Sequence, residues 1–146
     1  MKSKAPLAMM EQIVMLLVFA LAAALCLQAF VKSDQLSRRM EARDRAAVQC
    51  QSAAEAVQHC KGSLSQAAAL LEVPYPLDSE PGRLEIHYHE DWTLCDDQEY
   101  AYCLQAVPVD SGVDGLGKAR ISVTVTDTGD TLFEIEVAWQ EVSAHG

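Results

Sequence analysis

Glu11 is an ionisable side chain beside a strongly apolar run, since residues 13–31 carry no charge and Gln28 is their one strongly polar side chain. The five residues before Glu11 are apolar as well, so a hydrophobic helix would start near Leu7 and contain this carboxylate. An ionisable group within a membrane segment is costly and is by default a candidate functional group. The alternative is a carboxylate that reaches the interface and stabilises the N-terminal end of the helix.

A second group with metal-binding residue types is Glu85, His87 and His89. Their spacing of two puts them on one face of a strand, where they could hold a metal ion. A metal ion held there could be structural or catalytic. Zinc sites usually have more such ligand pairs, so a solvated strand face is the favoured interpretation. The sequence has no glycine-rich phosphate loop, serine elbow or HExxH motif. We therefore expect no enzymatic activity, no cofactor and no bound metal.

Four of the five cysteines lie outside the apolar run, and this even number permits an oxidising compartment. A hairpin between residues 92–95 and 100–104 would place Cys95 opposite Cys103 and make them a candidate disulfide. The alternative is that all four are reduced thiols.

The apolar run is long enough to cross a membrane. Nineteen helical residues reach roughly 28 Å, close to the roughly 30 Å of a bilayer's hydrocarbon core. We predict a transmembrane helix over residues 7–31 after a short cytoplasmic tail, residues 1–6. A cleavable signal sequence is the alternative, since two lysines precede the run and three alanines lie within it.

The positions after the span predict a helix that continues and then a sheet. No Gly or Pro occurs between residues 7 and 61, and residues 32–61 carry a narrow apolar stripe, which predicts an amphipathic extension. A short helix is expected near residues 64–72. Beyond it, alternation of apolar and polar side chains predicts antiparallel strands, with a hairpin turn at residues 127–130. The fold class is therefore α+β, with the long helix packed on a small sheet.

Charge is concentrated at the C-terminal end. Residues 62–146 hold 16 acidic and 3 basic side chains, so this domain is unsuited to binding nucleic acid. Basic residues follow the apolar run closely, and the positive-inside rule alone would place the acidic domain in the cytoplasm. Long domains often override that rule. We expect a single-pass protein of the cell membrane with this domain outside the cytoplasm.

The order of these segments resembles the bacterial type IV pilins and the pseudopilins of type II secretion. The resemblance covers residues 1–60 and rests on residues 9–17, the rest of the apolar run and its amphipathic extension. It implies a structural, non-enzymatic subunit that contacts the bilayer and other pilin-like subunits through its N-terminal helix. It also implies that Leu7 begins the mature chain and that Glu11, its fifth residue, meets a neighbouring subunit's N-terminal amine during assembly.

A second hypothesis keeps the membrane span but involves no fibre. In it, the chain is a single-pass membrane protein whose acidic domain binds or senses a partner outside the cytoplasm, and Glu11 has no assembly role.

Overall fold

The computed structural model describes residues 5–73, 82–95 and 99–141, which form two helices and four strands. In chain order these are α1 (Ala5–His59), α2 (Leu64–Leu70), β1 (Leu84–Tyr88), β2 (Tyr102–Val109), β3 (Leu116–Val125) and β4 (Thr131–Gln140). The chain divides into two compact units, Met1–Glu41 and Ala42–Gly146. The α+β class predicted from the sequence is confirmed: a long apolar N-terminal helix and a four-stranded antiparallel open sheet.

Helix α1 is 55 residues long and contains no glycine. Its single proline, Pro6, lies in the first turn, where a missing N–H breaks no helical hydrogen bond. The helix ends in a Schellman arrangement, with Gly62 N–H bonded to Val57 O at 2.9 Å and Lys61 N–H to Gln58 O at 3.1 Å. Both Lys61 and Gly62 have positive φ angles, which turn the chain toward α2.

The four strands form a meander in the order β1-β2-β3-β4, and every neighbouring pair is antiparallel. Buried and half-buried residues alternate along β1, as the period-two pattern of the sequence predicted. The predicted hairpin between β3 and β4 is confirmed, because Val125 N–H bonds to Asp130 O at 2.9 Å and Gly129 adopts a φ of 70° within the turn.

The predicted hairpin between residues 92–95 and 100–104 is wrong. Leu94 instead pairs with Tyr88, and Tyr88 also pairs with Tyr102 in β2, so β1 lies between the two segments. The tight turn that reverses the chain is at residues 90–92. There the Asp91 carboxylate accepts hydrogen bonds from the backbone N–H and the hydroxyl of Thr93, and Trp92 has a φ of 66°.

The register also removes the basis for a Cys95–Cys103 disulfide. All five cysteines lie within the described residues, and none of them forms a disulfide bond. Cys95 and Cys103 flank His87 from opposite sides, since Cys95 N–H bonds to His87 O and Cys103 is the β2 partner of His87. Two strand spacings amount to roughly 9–10 Å, more than the roughly 7 Å that a disulfide spans between Cα atoms. A bridge would therefore need the strands to rearrange.

The core of the second unit lies between one face of the sheet and the helical residues that cover it. The α1 side chains that it buries are small, and the sheet supplies the larger ones: Leu84, Leu104 and Ile121, each 0% exposed. The buried residues of α1 are Ala46, Cys50, Ala53, Ala54, Ala56 and Val57.

Trp139 closes one end of this core against two glycines. Gly117 is its partner in β3, and Gly62 lies in the turn that follows α1; a Cβ atom on either glycine would overlap the indole. The close approach of the ring explains why both positions lack a side chain.

Candidate functional site

The first unit presents an apolar helical surface. Every residue from 5 to 41 is exposed within the structure, including the predicted span, Cys26 and Glu11. Among the described residues, one helix is long and apolar enough to cross a membrane; its most apolar 18-residue window has a mean hydropathy of 2.6 and none of it is buried. An N-terminal signal sequence would meet the same criteria.

Glu11 is surrounded by apolar side chains on this helical surface. The residues three and four positions away, which are its neighbours on a helix, are Leu7, Ala8, Val14 and Met15. No basic residue occurs within four positions in either direction, so the helix itself offers no cation to pair with this carboxylate. Any compensating charge would have to come from outside this stretch of α1.

A second candidate site lies on the outer face of the sheet, which we define as the face opposite the core. Donor atoms of Glu85, His87 and Cys103 all lie within 4.8 Å of one another there. Glu85 and His87 share this face because they are two apart on β1, and Cys103 joins them because it is the β2 partner of His87. The three residues offer a carboxylate, an imidazole and a thiol.

Side chains around the cluster fix its orientation. The His87 ring stacks on Tyr100 with centroids 3.8 Å apart and planes 2° from parallel. Gln105 Nε2 lies 3.4 Å from Glu85 Oε1 and 3.6 Å from Cys103 Sγ, and donates to both. Arg83 Nε lies 2.8 Å from the same Oε1 of Glu85. The other oxygen, Glu85 Oε2, is 3.9 Å from His87 Nε2.

Burial shapes the chemistry of this cluster. Cys103 is 6% exposed, and desolvation raises the pKa of its thiol above the ordinary value. His87 Nε2 is buried and has no hydrogen-bond partner. An unpaired buried ring nitrogen is costly, so a group that engages it would stabilise the site.

The structure corrects the metal-ligand set that the sequence suggested. Glu85 and His87 lie together as expected, but His89 follows the end of β1 and is exposed. Cys103, from the neighbouring strand, completes the group instead. The sequence contains no local signal for this, because Cys103 is 16 residues from His87 and only the strand register brings them together.

The same face carries a charged ladder across β3 and β4. Lys118 Nζ and Arg120 Nη2 contact the Glu136 carboxylate at 2.5 and 3.0 Å, and their hydrogen bonds lower the pKa of Glu136. Arg120 also lies 3.6 Å from Glu134. The pKa of Arg120 is raised, first by its hydrogen bond to Glu136. These charged groups are largely solvated, so we regard them as ion pairs of the sheet surface and not as part of a reactive site.

Two groups of the core have pKa values raised by burial. Desolvation raises the pKa of the Cys50 thiol to about 12. The pKa of Tyr88 is also raised to about 12, by burial and then by the nearby Cys50. The Tyr88 hydroxyl donates to Gln49 Oε1 at 3.2 Å, which ties β1 to α1 within the second unit.

Comparison of the chain with protein-family models, with curated proteins and with solved structures gives no match.

Proposed function

We propose that this chain is a non-enzymatic, membrane-anchored structural subunit of a pilin-like or pseudopilin-like assembly, with its acidic domain outside the cytoplasm. The observation that carries the proposal is the long exposed apolar surface of α1 with one carboxylate near its start. A bilayer and the N-terminal helices of other subunits would cover this surface together.

Water is an unsuitable environment for this surface. Fifteen large apolar side chains between residues 7 and 31 are 48–75% exposed. Burying one such side chain stabilises by roughly 1.5–3 kcal/mol, so leaving all of them in water costs on the order of 20 kcal/mol. That exceeds the roughly 5–15 kcal/mol by which a typical domain is stable. The segment therefore needs lipid or partner helices.

The carboxylate of Glu11 gives the proposal its assembly step. A charged side chain at the centre of a membrane helix costs about 3 kcal/mol on insertion scales, and less near an end. A cation from a second subunit would offset this cost, since α1 provides none within four positions. The resemblance to pilins supplies the partner group, the free amine of a mature chain that begins at Leu7.

A single-pass protein with an extracytoplasmic binding or sensing domain is the second candidate function. The observation that favours it is the Glu85, His87 and Cys103 cluster, which a purely structural subunit does not need. In this case the span acts as an anchor, and neutralising Glu11 has no effect on association.

Oxidative cross-linking in native membranes separates the two candidates, because Cys26 is an exposed thiol within the apolar run. The wild-type chain should form Cys26-dependent cross-links to neighbouring subunits, and Cys26→Ser should abolish them. Glu11→Ala should still insert but lose the cross-links. Glu55→Gln is the matched control, since it removes an exposed carboxylate from the same helix and should leave them intact.

Equal cross-linking of the wild type and Glu11→Ala would refute the assembly role of Glu11. So would a wild-type chain that forms no cross-links through Cys26 in its native membrane.

A further inference from the structure

We propose that Glu85, His87 and Cys103 bind one divalent transition-metal ion of the zinc class. The three donor atoms lie within 4.8 Å of one another. This inference does not depend on the proposed assembly role, because all three residues belong to the second unit.

The donor set fits this class of ion. Thiolate and imidazole suit zinc and cobalt, and a carboxylate oxygen is the usual third kind of zinc ligand. Zinc–ligand distances of about 2.0–2.3 Å in tetrahedral geometry correspond to donor–donor distances of about 3.3–3.8 Å. Donors already within 4.8 Å would reach that geometry by small side-chain rotations, without a change in strand register.

An independent observation points to a ligand at the same place. His87 Nε2 is buried without a hydrogen-bond partner, although it lies 3.9 Å from Glu85 Oε2. The stacked Tyr100 ring restricts the imidazole to this orientation. A metal ion between the two atoms would give the ring nitrogen the partner that it lacks.

Neighbouring side chains orient the proposed ligands and leave donor atoms available for a metal ion. Arg83 and Gln105 approach Glu85 at Oε1, which leaves Oε2 directed toward His87 for a single metal–oxygen bond. Metal ligands commonly have such outer partners, which orient them. The domain around them has 16 acidic and 3 basic residues, which favours a cation. Binding would convert the Cys103 thiol to a thiolate, and its proton would pass to solvent.

Titration of the full-length chain with Co²⁺ alone, in detergent after removal of metals by a chelator, tests the site. We expect one equivalent of Co²⁺ to bind, with a thiolate-to-cobalt charge-transfer band. Cys103→Ser should lose that band. His87→Gln and Glu85→Gln should weaken binding by more than the roughly 10–100-fold that loss of an outer partner costs.

Two matched controls place the site. His89→Gln removes the exposed neighbouring histidine, and Cys60→Ser removes a thiol outside the cluster; both should bind Co²⁺ as the wild type does. Fluorescence of Trp92 and Trp139 would verify that each variant is folded, since both lie in the second unit.

The proposal is overturned if the wild type shows no stoichiometric Co²⁺ with a charge-transfer band. It is also overturned if folded His87→Gln and Glu85→Gln both bind with unchanged affinity. Loss of the charge-transfer band in Cys60→Ser would mean that Cys60 supplies the thiolate ligand, and this would also overturn the proposal.

Discussion

Residues 5–41 and residues 42–59 of α1 differ in the size and the exposure of their apolar side chains. In residues 5–41 every side chain is exposed, including large apolar ones such as Leu16 and Phe19. In residues 42–59 the buried side chains are small, four alanines with Cys50 and Val57. The helix is therefore most hydrophobic where its own chain provides no cover, and least bulky where the sheet covers it.

This difference shows that hydrophobicity alone does not locate the core. Small residues let the helix backbone come close to a sheet, whose own Leu and Ile side chains fill the space between them. Large exposed residues suit a surface whose surroundings adapt to it, as lipid chains do. Substitutions matched across the two parts should therefore have very different consequences for stability.

The largest contrast is expected from truncating a leucine. Leu104→Ala removes a side chain that is 0% exposed in the core, and we expect it to destabilise the second unit by about 2–5 kcal/mol. Leu16→Ala, in the first unit, should change this value by less than about 0.5 kcal/mol. Denaturant unfolding in detergent, followed by fluorescence of the two tryptophans, measures both. Equal losses would contradict the division into two parts.

Alkaline pH should weaken only the packed part. Folding raises the pKa of Cys50 from 9.0 to about 12, so its stabilisation is complete below pH 9 and is lost as the pH rises toward 12. The slope is about 1.4 kcal/mol per pH unit for one group. Between pH 9 and 12, the unfolding free energy should fall less steeply with pH for Cys50→Ala than for the wild type. Cys26→Ala should keep the wild-type slope, and an unchanged slope in Cys50→Ala would contradict the burial of this thiol.

Enlarging an alanine tests the close approach of helix and sheet. Ala46 is 0% exposed in the core, and Ala46→Leu should destabilise the second unit by about 1–3 kcal/mol because the larger side chain would push the helix away from the residues packed against it. Ala29→Leu, at an exposed position of the apolar run, should leave the unfolding free energy unchanged. A fully tolerated Ala46→Leu would mean that the helix does not pack closely on the sheet.

The smallest effect is expected from the charged ladder on the outer face. Since Lys118 and Arg120 lower the pKa of Glu136, its contribution is present at neutral pH and is lost as the pH falls through the folded-state value. Glu136→Gln should therefore reduce the loss of stability in acid slightly. The pH midpoints of acid unfolding of the wild type and of Glu136→Gln measure this difference. A variant that is more sensitive to acid than the wild type would contradict the stabilising role of Glu136.

The elements that the sequence predicted correctly are those with long, regular patterns. The absence of glycine over α1 and the alternation along β1 each depend on neighbours in sequence, so they can be read without the fold. The hairpin error arose because residues 96–99 have the polar composition of a turn. The turn that the structure has contains Trp92 at positive φ, which is uncommon for a bulky residue.

The candidate site residues also divide into those that local sequence identifies and those that only the fold brings together. Glu11 was identifiable because its significance lies in the apolar residues around it in sequence. Two of the three residues in the Glu85, His87 and Cys103 cluster were identifiable from the spacing of Glu85 and His87. Cys103 was not, since its place beside His87 depends on the pairing of β1 with β2. Strand register is a long-range property that no local pattern specifies.

We infer that the apolar part of α1 remains on the mature chain as a membrane anchor, and that the mature chain begins at Leu7. Intact-mass measurement of the protein retained in membranes after alkaline extraction tests it most directly. We predict a membrane-retained chain that begins at Leu7, although Pro6 stands where the pilin family usually has a small residue before the cleavage point. A soluble chain that begins after Ala24 would contradict the anchor. A retained chain that still begins at Met1 would contradict the pairing of Glu11 with a mature amine.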